Sequence, residues 1–139
     1  MAQTRFNGPV RSDNGFIGGH QLTSANAVNT TGTATAAQVA DGYITSTSAA
    51  PVTITLPTGT DLGTAIGAAR GTVLDLFIDN TAGADVVTVA VNTNAILSSA
   101  AADTAGSFGD LTIAAGATGL ARYTIMFSSA TAYVFTRTA

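Results

Sequence analysis

The sequence predicts an all-β fold, either an antiparallel β-sandwich or a small barrel, with one short helix at about residues 60–70 and an extended N-terminal arm. Lysine and glutamate, which favour exposed helices, are absent, whereas Thr, Ala, Gly and Asn are abundant. Short runs of alternating apolar and polar residues recur between turn-forming segments. The length of 139 residues suits one domain with a sizeable core, which we expect to span residues 24–139.

The strongest β signal lies in the segment Thr72–Val91. Two β-rich runs, Thr72–Asp79 and Asp85–Val91, flank a turn-forming segment, which is the pattern of a β-hairpin. Alternation along the first run places Leu76 and Ile78 on a wholly apolar face. Because a two-stranded ribbon alone is not stable in water, we predict that this hairpin is the middle of a larger sheet.

Residues 1–23 are predicted to form an arm rather than part of the β domain. Turn dipeptides and glycines interrupt this segment, and most of its apolar residues occur singly. Two alternatives remain open: a loosely ordered terminus, or an extended arm that lies on a partner and buries Phe6 and Phe16 there. In the second case the predicted partner-binding residues are Arg5, Phe6, Val10, Arg11, Phe16 and Ile17.

The segment between the arm and the helix is predicted to contain short strands. Ser24–Ala40 has no clear period and either holds a weak strand near Thr30–Thr35 or simply connects. A strand is predicted at residues 42–47. Val52–Leu56 alternates apolar residues with threonine, which predicts a half-buried antiparallel strand.

The one predicted helix lies within Thr58–Gly71. Thr60 is the expected N-cap, and Asp61 lies in the first turn, where the helix dipole favours a negative charge. Leu62 and Ile66 belong to an apolar stripe along the helix. Glycines repeat every four residues here without the dinucleotide fingerprint, so we expect them to allow close packing of the helix.

The C-terminal part is predicted as a long loop, a short strand and a hairpin. Asn92–Asp110 is polar and Ala-rich, and loops of this length usually serve function or contacts. Leu111–Ile113 is a short strand, and Leu120–Ser128 is expected to pair with Thr131–Arg137. One face of the first hairpin strand carries Ala121, Tyr123, Ile125 and Phe127, and on the second strand Val134 is expected inward with Tyr133, Phe135 and Arg137 opposite.

Composition restricts the partners of this protein. Charged residues are only 9% of the chain, against roughly 25% in soluble domains, so we expect a hydroxyl- and amide-rich surface or one covered by neighbouring subunits. The five arginines are scattered and the net charge is −3, which argues against nucleic acid as a partner. No signal-peptide-like or membrane-spanning apolar run is present, so we expect synthesis in a cytoplasm and no membrane partner.

The sequence predicts a non-enzymatic protein without a cofactor or metal ion. Its single histidine, His20, would have to serve any catalytic triad or histidine-based metal site. Asp75 and Asp79 share a strand face with Asp85 across the turn, an arrangement open to a carboxylate-based hydrolase. Calcium held by Asp79, Asn80 and Asp85 is a second alternative, although the spacing is not that of an EF-hand. Solvated or interface-paired aspartates are the favoured interpretation.

Several segments carry a family resemblance: Gly8–Phe16 in the arm, and Gln38–Thr47, Thr55–Thr58, Asp75–Asn80, Val87–Val89, Ala121–Tyr123 and Ala132–Val134 in the β domain. Together they resemble small β modules of tailed-bacteriophage virion proteins, most closely capsid decoration (cement) proteins. The resemblance implies a homotrimer that binds the major capsid protein on the outer surface of the virion and reinforces the head. It carries over no catalytic residue. The rival function is a head- or tail-fibre tip, a receptor-binding module that recognises a host glycan.

Overall fold

The computed structural model describes residues 26–97 and 111–139. None of the helices in these two ranges is long and apolar enough to cross a membrane. A 3₁₀ turn at Gly116–Thr118 precedes the C-terminal hairpin. In chain order the elements are β1 (Gly32–Thr33), α1 (Ala36–Ala40), β2 (Tyr43–Thr45), β3 (Val52–Thr55), α2 (Gly59–Ile66), β4 (Val73–Asp79), β5 (Val87–Ala90), β6 (Ala95–Leu97), β7 (Thr112–Ile113), β8 (Leu120–Ser129) and β9 (Ala132–Arg137).

The strands form two sheets that bury their inward faces in one shared core. The four-stranded sheet has the order β1-β3-β5-β7, and the five-stranded sheet has the order β2-β4-β8-β9-β6. From β1 to β8 each strand belongs to the opposite sheet from the one before it. Between two strands of one sheet the chain therefore forms a strand of the other sheet. Four strand pairs are parallel: β1-β3, β3-β5, β2-β4 and β6-β9. The β-rich prediction is confirmed, the strictly antiparallel one is wrong, and neither sheet closes into a barrel.

The predicted central hairpin does not form. The strand β4 pairs with β2 and β8, whereas β5 pairs with β3 and β7 in the other sheet. Leu76 and Ile78 of β4 face Val87 and Val89 of β5 across the shared core, and all four are buried. Two strands paired in a hairpin and two strands in facing sheets both bury every second side chain. Alternation in the sequence therefore cannot tell a hairpin from a crossover between sheets.

The predicted helix is confirmed as α2, with different ends. Thr58, not Thr60, is the N-cap, and its hydroxyl accepts a hydrogen bond from the amide of Asp61. The helix ends at Gly67, whose φ of 63° is left-handed. Close packing holds for Gly63, since a Cβ there would come within 2.0 Å of the Ala130 carbonyl oxygen.

A second helix, α1, lies in the segment where only a weak strand or a connection was predicted. Thr35 and Gln38 form a capping box at its start, which satisfies backbone donors at both positions. The weak strand predicted near Thr30–Thr35 is reduced to β1. The strand predicted at Val52–Leu56 is present as β3, and its partners are both parallel.

The C-terminal hairpin is confirmed, but the predicted orientation of its last strand is wrong. Tyr133 and Phe135 are buried, and Val134 lies on the outward face. The ring of Tyr133 packs 5.3 Å from that of Phe127, and its hydroxyl donates to the Pro57 carbonyl oxygen at 2.7 Å. Burial raises the pKa of Tyr133. The larger aromatic side chains occupy the core because they bury more apolar area than valine does.

Candidate interaction surface

Asp75 lies on the outward face of β4 and is held by two side chains of β8. Nη2 of Arg122 donates to Oδ2 of Asp75 at 2.6 Å, and Oγ1 of Thr124 donates to Oδ1 at 2.7 Å. The guanidinium of Arg122, followed by the hydroxyl of Thr124, holds the pKa of Asp75 below its usual range. A carboxyl group that acts as a general acid needs a raised pKa, so the lowered pKa of Asp75 does not suit that role.

Asp79 occupies the end of the same strand and is engaged in a different way. Its Oδ1 accepts hydrogen bonds from the amide and the hydroxyl of Thr81, at 2.9 and 2.6 Å. The hydroxyl of Tyr43 on β2 donates to Oδ2 at 2.6 Å. The Thr81 hydroxyl and then Tyr43 lower the pKa of Asp79, while the bond to Asp79 is the main cause that raises the pKa of Tyr43. Asp79 therefore joins β2 to the end of β4.

The aspartates do not converge on a common centre. Asp75 and Asp79 are four residues apart on one strand, which separates their Cα atoms by ~13 Å, beyond the ~5–10 Å between glycosidase carboxylates. Asn80 is wholly buried, whereas Asp79 faces outward, so the two do not form half of a calcium site. Within residues 26–97 and 111–139 no group of three or more histidines or acidic residues is placed to hold a metal ion. His20 lies outside these ranges.

Asn80 closes the end of the fold where the chain leaves β4 for the other sheet. Its Nδ2 lies 2.9 Å from the Asp85 carbonyl oxygen, 3.3 Å from that of Ile113 and 3.0 Å from that of Ala114. Its backbone amide donates to the Gly119 carbonyl oxygen at 2.6 Å. The side chain of Asn80 thus connects the crossover after β4 with the end of β7, and its backbone amide connects it with the turn that precedes β8. Its role is structural.

The outward face of the five-stranded sheet is apolar and exposed. In the part of the chain that the structure describes, six large hydrophobic side chains are exposed, and five of them belong to this face. Its members are 37–56% exposed. The sixth, Val91, follows β5 of the other sheet and is 50% exposed. The five exposed residues of the outward face are Val73, Phe77, Ile96, Leu120 and Met126.

Four residues of this face form a continuous apolar row across four strands. Val73 on β4 is paired with Met126 on β8, Met126 with Val134 on β9, and Val134 with Ile96 on β6. We call these four residues the apolar row. Apolar residues in successive strands at one level make a contiguous patch rather than scattered exposed side chains, and such patches mark interaction sites.

An ion pair between Arg122 and Asp75 lies on the same face beside the apolar row. The guanidinium carbon of Arg122 is 5.8 Å from the centroid of the Phe77 ring while the same group bonds Asp75. A cation over an exposed ring contributes about 0.5–1 kcal/mol. Arg122 therefore covers one side of Phe77 and neutralises Asp75, whereas the carboxylate of Asp79 further along the same face is bonded to uncharged groups.

Sequence reasoning missed the apolar row as a candidate site. The six predicted partner-binding residues, Arg5 to Ile17, lie outside the described residues, and so does the predicted arm. A signal for Met126 was present, because assigning Ile125 and Phe127 inward leaves it outward by alternation. Ile96 gave no such signal, since the loop predicted at Asn92–Asp110 hid the strand β6.

Comparison of the chain with known protein families, with curated proteins and with solved structures gave no match.

Proposed function

We propose that this protein is a structural virion protein, a capsid decoration (cement) protein that binds the major capsid protein through its N-terminal arm and stabilises the phage head. The observation that supports it most directly is the exposed apolar face of the five-stranded sheet in a chain with only 9% charged residues. Such a surface suits a protein that shares it with other chain segments or subunits.

The size of this face supports an interaction role. The five strands of this sheet contain 29 residues, which at a rise of ~3.3 Å and a spacing of ~4.8 Å cover roughly 460 Å². This area includes polar residues such as Asp75 and Arg122 beside the apolar ones. The largest apolar patch of an ordinary monomer is about 300–600 Å² and is often functional, so the face as a whole has the size of a small binding surface. The proposal assigns it no catalytic role, because Asp75 and Asp79 have lowered pKa values and are hydrogen-bonded to neighbouring side chains.

The proposed partners are the major capsid protein and further copies of this chain in a homotrimer, on the outer surface of the virion. Within this proposal the two-sheet domain is a β-sandwich that supplies a rigid body, and the arm supplies the attachment. The residues of the outer part of the arm, among them Phe6 and Arg11, are the contacts expected on the capsid. No nucleic acid or membrane is assigned as a partner.

Removal of residues 1–19 tests this proposal. We expect the truncated protein to stay folded and oligomeric and to lose co-sedimentation with capsids that lack the protein. A matched variant, Val91→Ser, changes an exposed hydrophobic residue of the other sheet and should bind capsids as the parent does. Capsid binding by the truncated protein at parental affinity would refute the role given to the arm.

The alternative, a fibre tip that recognises a host glycan, has less support on this surface. A sugar stacks on an open aromatic face, and Phe77 is the one aromatic among the exposed large hydrophobic residues of the described chain. Arg122 lies over that ring. Copy number separates the two functions, because a decoration protein is present in hundreds of copies per virion and a fibre tip in tens at most.

A further inference from the structure

The apolar row is largely exposed in the part of the chain that the structure describes, and the course of the backbone indicates which other segment can bury it. Residues 26–28 lie along the outer edge of β2. The amide of Val28 donates to the Thr45 carbonyl oxygen at 2.9 Å, and the amide of Thr45 donates to the Asn26 carbonyl oxygen at 3.0 Å. This bridge is parallel, so residues 26–28 run in the same direction as β2.

The direction of residues 26–28 points back toward the apolar row. Thr45 is level with Asp79 and Tyr43 with Phe77, since β2 and β4 are parallel. Moving toward the N-terminus from Asn26 therefore means moving from the Asp79 end of β4 toward its Val73 end. The apolar row crosses the sheet at that Val73 end.

The other segment outside the described residues, 98–110, follows a strand that runs away from the apolar row. The strand β6 is parallel to β9, with Ile96 level with Val134 and Leu97 level with Phe135. The chain therefore leaves β6 in the direction of Arg137, away from the apolar row. It returns at Leu111, next to β7 of the other sheet. Residues 98–110 are thus the less suitable cover.

An extended segment before residue 27 is long enough to reach the apolar row. An extended segment that keeps step with β2 is level with Val73 at about residue 21, six residues before the bridge at Ala27. From the outer edge of β2 to β8 is three strand spacings, ~14 Å, which ~4 extended residues span. Ile17 and its neighbour Phe16 then lie over Met126. Gly18 and Gly19 fall within these ~4 residues, and glycine tolerates the close approach of a chain segment to the sheet.

We propose that the inner half of the arm folds back on its own domain and buries Phe16 and Ile17 against the apolar row. The arm then has two parts. The inner part is fixed to the five-stranded sheet, and the outer part, which carries Phe6 and Arg11, emerges at one place for a partner. This contact is internal to the chain and holds whether or not that partner is a capsid.

Cysteine pairs in the full-length protein test the proposal, because the natural chain contains no cysteine. Ile17→Cys is combined with Met126→Cys, and the matched control combines Ile17→Cys with Val91→Cys. Met126 and Val91 are similarly exposed, at 48% and 50%, and lie on different sheets. Phe16→Cys is also combined with each of these two partners, in case residue 16 and not residue 17 lies nearest to Met126. Disulfide formation is followed on non-reducing gels and by peptide mass spectrometry.

We expect an intramolecular disulfide with Met126→Cys to form at least tenfold faster than one with Val91→Cys, for one of the two arm positions. Equal rates for both partners at both arm positions would overturn the proposal. Cross-linked dimers without an intramolecular product would also overturn it, because they would assign the row to a second copy. The assay uses isolated protein, so its result is independent of the capsid co-sedimentation that tests the proposed function.

Discussion

Replacement of Asn80 by alanine is expected to destabilise the whole domain. The Nδ2 group lies within 3.3 Å of three carbonyl oxygens, those of Asp85, Ile113 and Ala114, and the side chain is fully buried. An amide group has two hydrogens, so these contacts amount to two full hydrogen bonds. At about 1–1.5 kcal/mol per buried bond, the expected loss in free energy of unfolding is ~2–3 kcal/mol.

The same site predicts an order of effects. Asn80→Asp keeps the shape of the side chain and replaces the donor group by an acceptor that faces three carbonyl oxygens. Burial and repulsion oppose its ionised form, so Asn80→Asp should destabilise more than Asn80→Ala. A matched control is Asn29→Ala, which removes one exposed hydrogen bond to the Thr47 amide and is expected to lose less than about 1 kcal/mol.

Urea unfolding of the full-length variants at one fixed protein concentration measures these differences. The slope of the unfolding free energy against urea should be unchanged, so that a shift of the midpoint reports stability alone. An Asn80→Ala variant no less stable than Asn29→Ala would refute the conclusion that one side chain connects the crossover with β7.

Two further predictions concern stability. Gly63→Ala should destabilise the protein by ~1–3 kcal/mol, because the added Cβ would meet the backbone of Ala130 and the gain in helix propensity of ~1 kcal/mol does not offset the resulting backbone shift. The control is Gly32→Ala, since Gly32 has open space around it. Equal thermal midpoints of the two variants would contradict the prediction. Asp75→Asn should lose ~0.2–1 kcal/mol at neutral pH through the partly exposed pair with Arg122. Because the folded pKa of Asp75 lies below the unfolded one, this contribution is present above about pH 4 and is lost as the pH falls through the folded pKa. The stabilities of the parent and Asp75→Asn measured by urea unfolding should therefore converge in acid, and a difference that persists there would exclude the ion pair as its cause.

The C-terminal hairpin shows what local sequence determines. Residues of β8 and β9 are close in sequence, and alternation grouped Ala121, Tyr123, Ile125 and Phe127 on one face of β8, which is the buried face. On β9 the alternation was recognised, but the inward and outward faces were exchanged, because Val134 and its neighbours Tyr133 and Phe135 are all apolar. The choice depends on volume and on the partner strand, which are properties of the assembled core.

Pairing between distant strands was beyond the local pattern. Thr72–Asp79 and Asp85–Val91 were identified as strands and assigned to the same sheet, although they lie on opposite sides of the core. The segment between them has turn-forming residues that serve a hairpin and a crossover equally well. The helix α1 was missed although Thr35 and Gln38 carry the capping-box signature, since the segment has low apolar periodicity.

The candidate surface was predictable only in part. The sequence indicated few charges and a shared surface, and it assigned the aspartates to structural or interface roles. It did not locate the apolar row, because that row exists only when β4, β8, β9 and β6 are aligned side by side. Val73 and Ile96 are more than 20 positions apart in the sequence, and they belong to one row only because Met126 and Val134 on two intervening strands lie between them.

The alternation of strands between the two sheets has a consequence for synthesis. The strand β8 lies between β4 and β9 in the five-stranded sheet, and it leaves the ribosome after every strand of the four-stranded sheet. Until it does, β4 lacks its antiparallel neighbour and the four-stranded sheet lacks a complete opposing layer. Folding must therefore wait for the C-terminal hairpin, with slow closure of sequence-distant pairs afterwards. A nascent chain halted before residue 120 would expose the inward faces of both sheets, which makes it a natural client for chaperones.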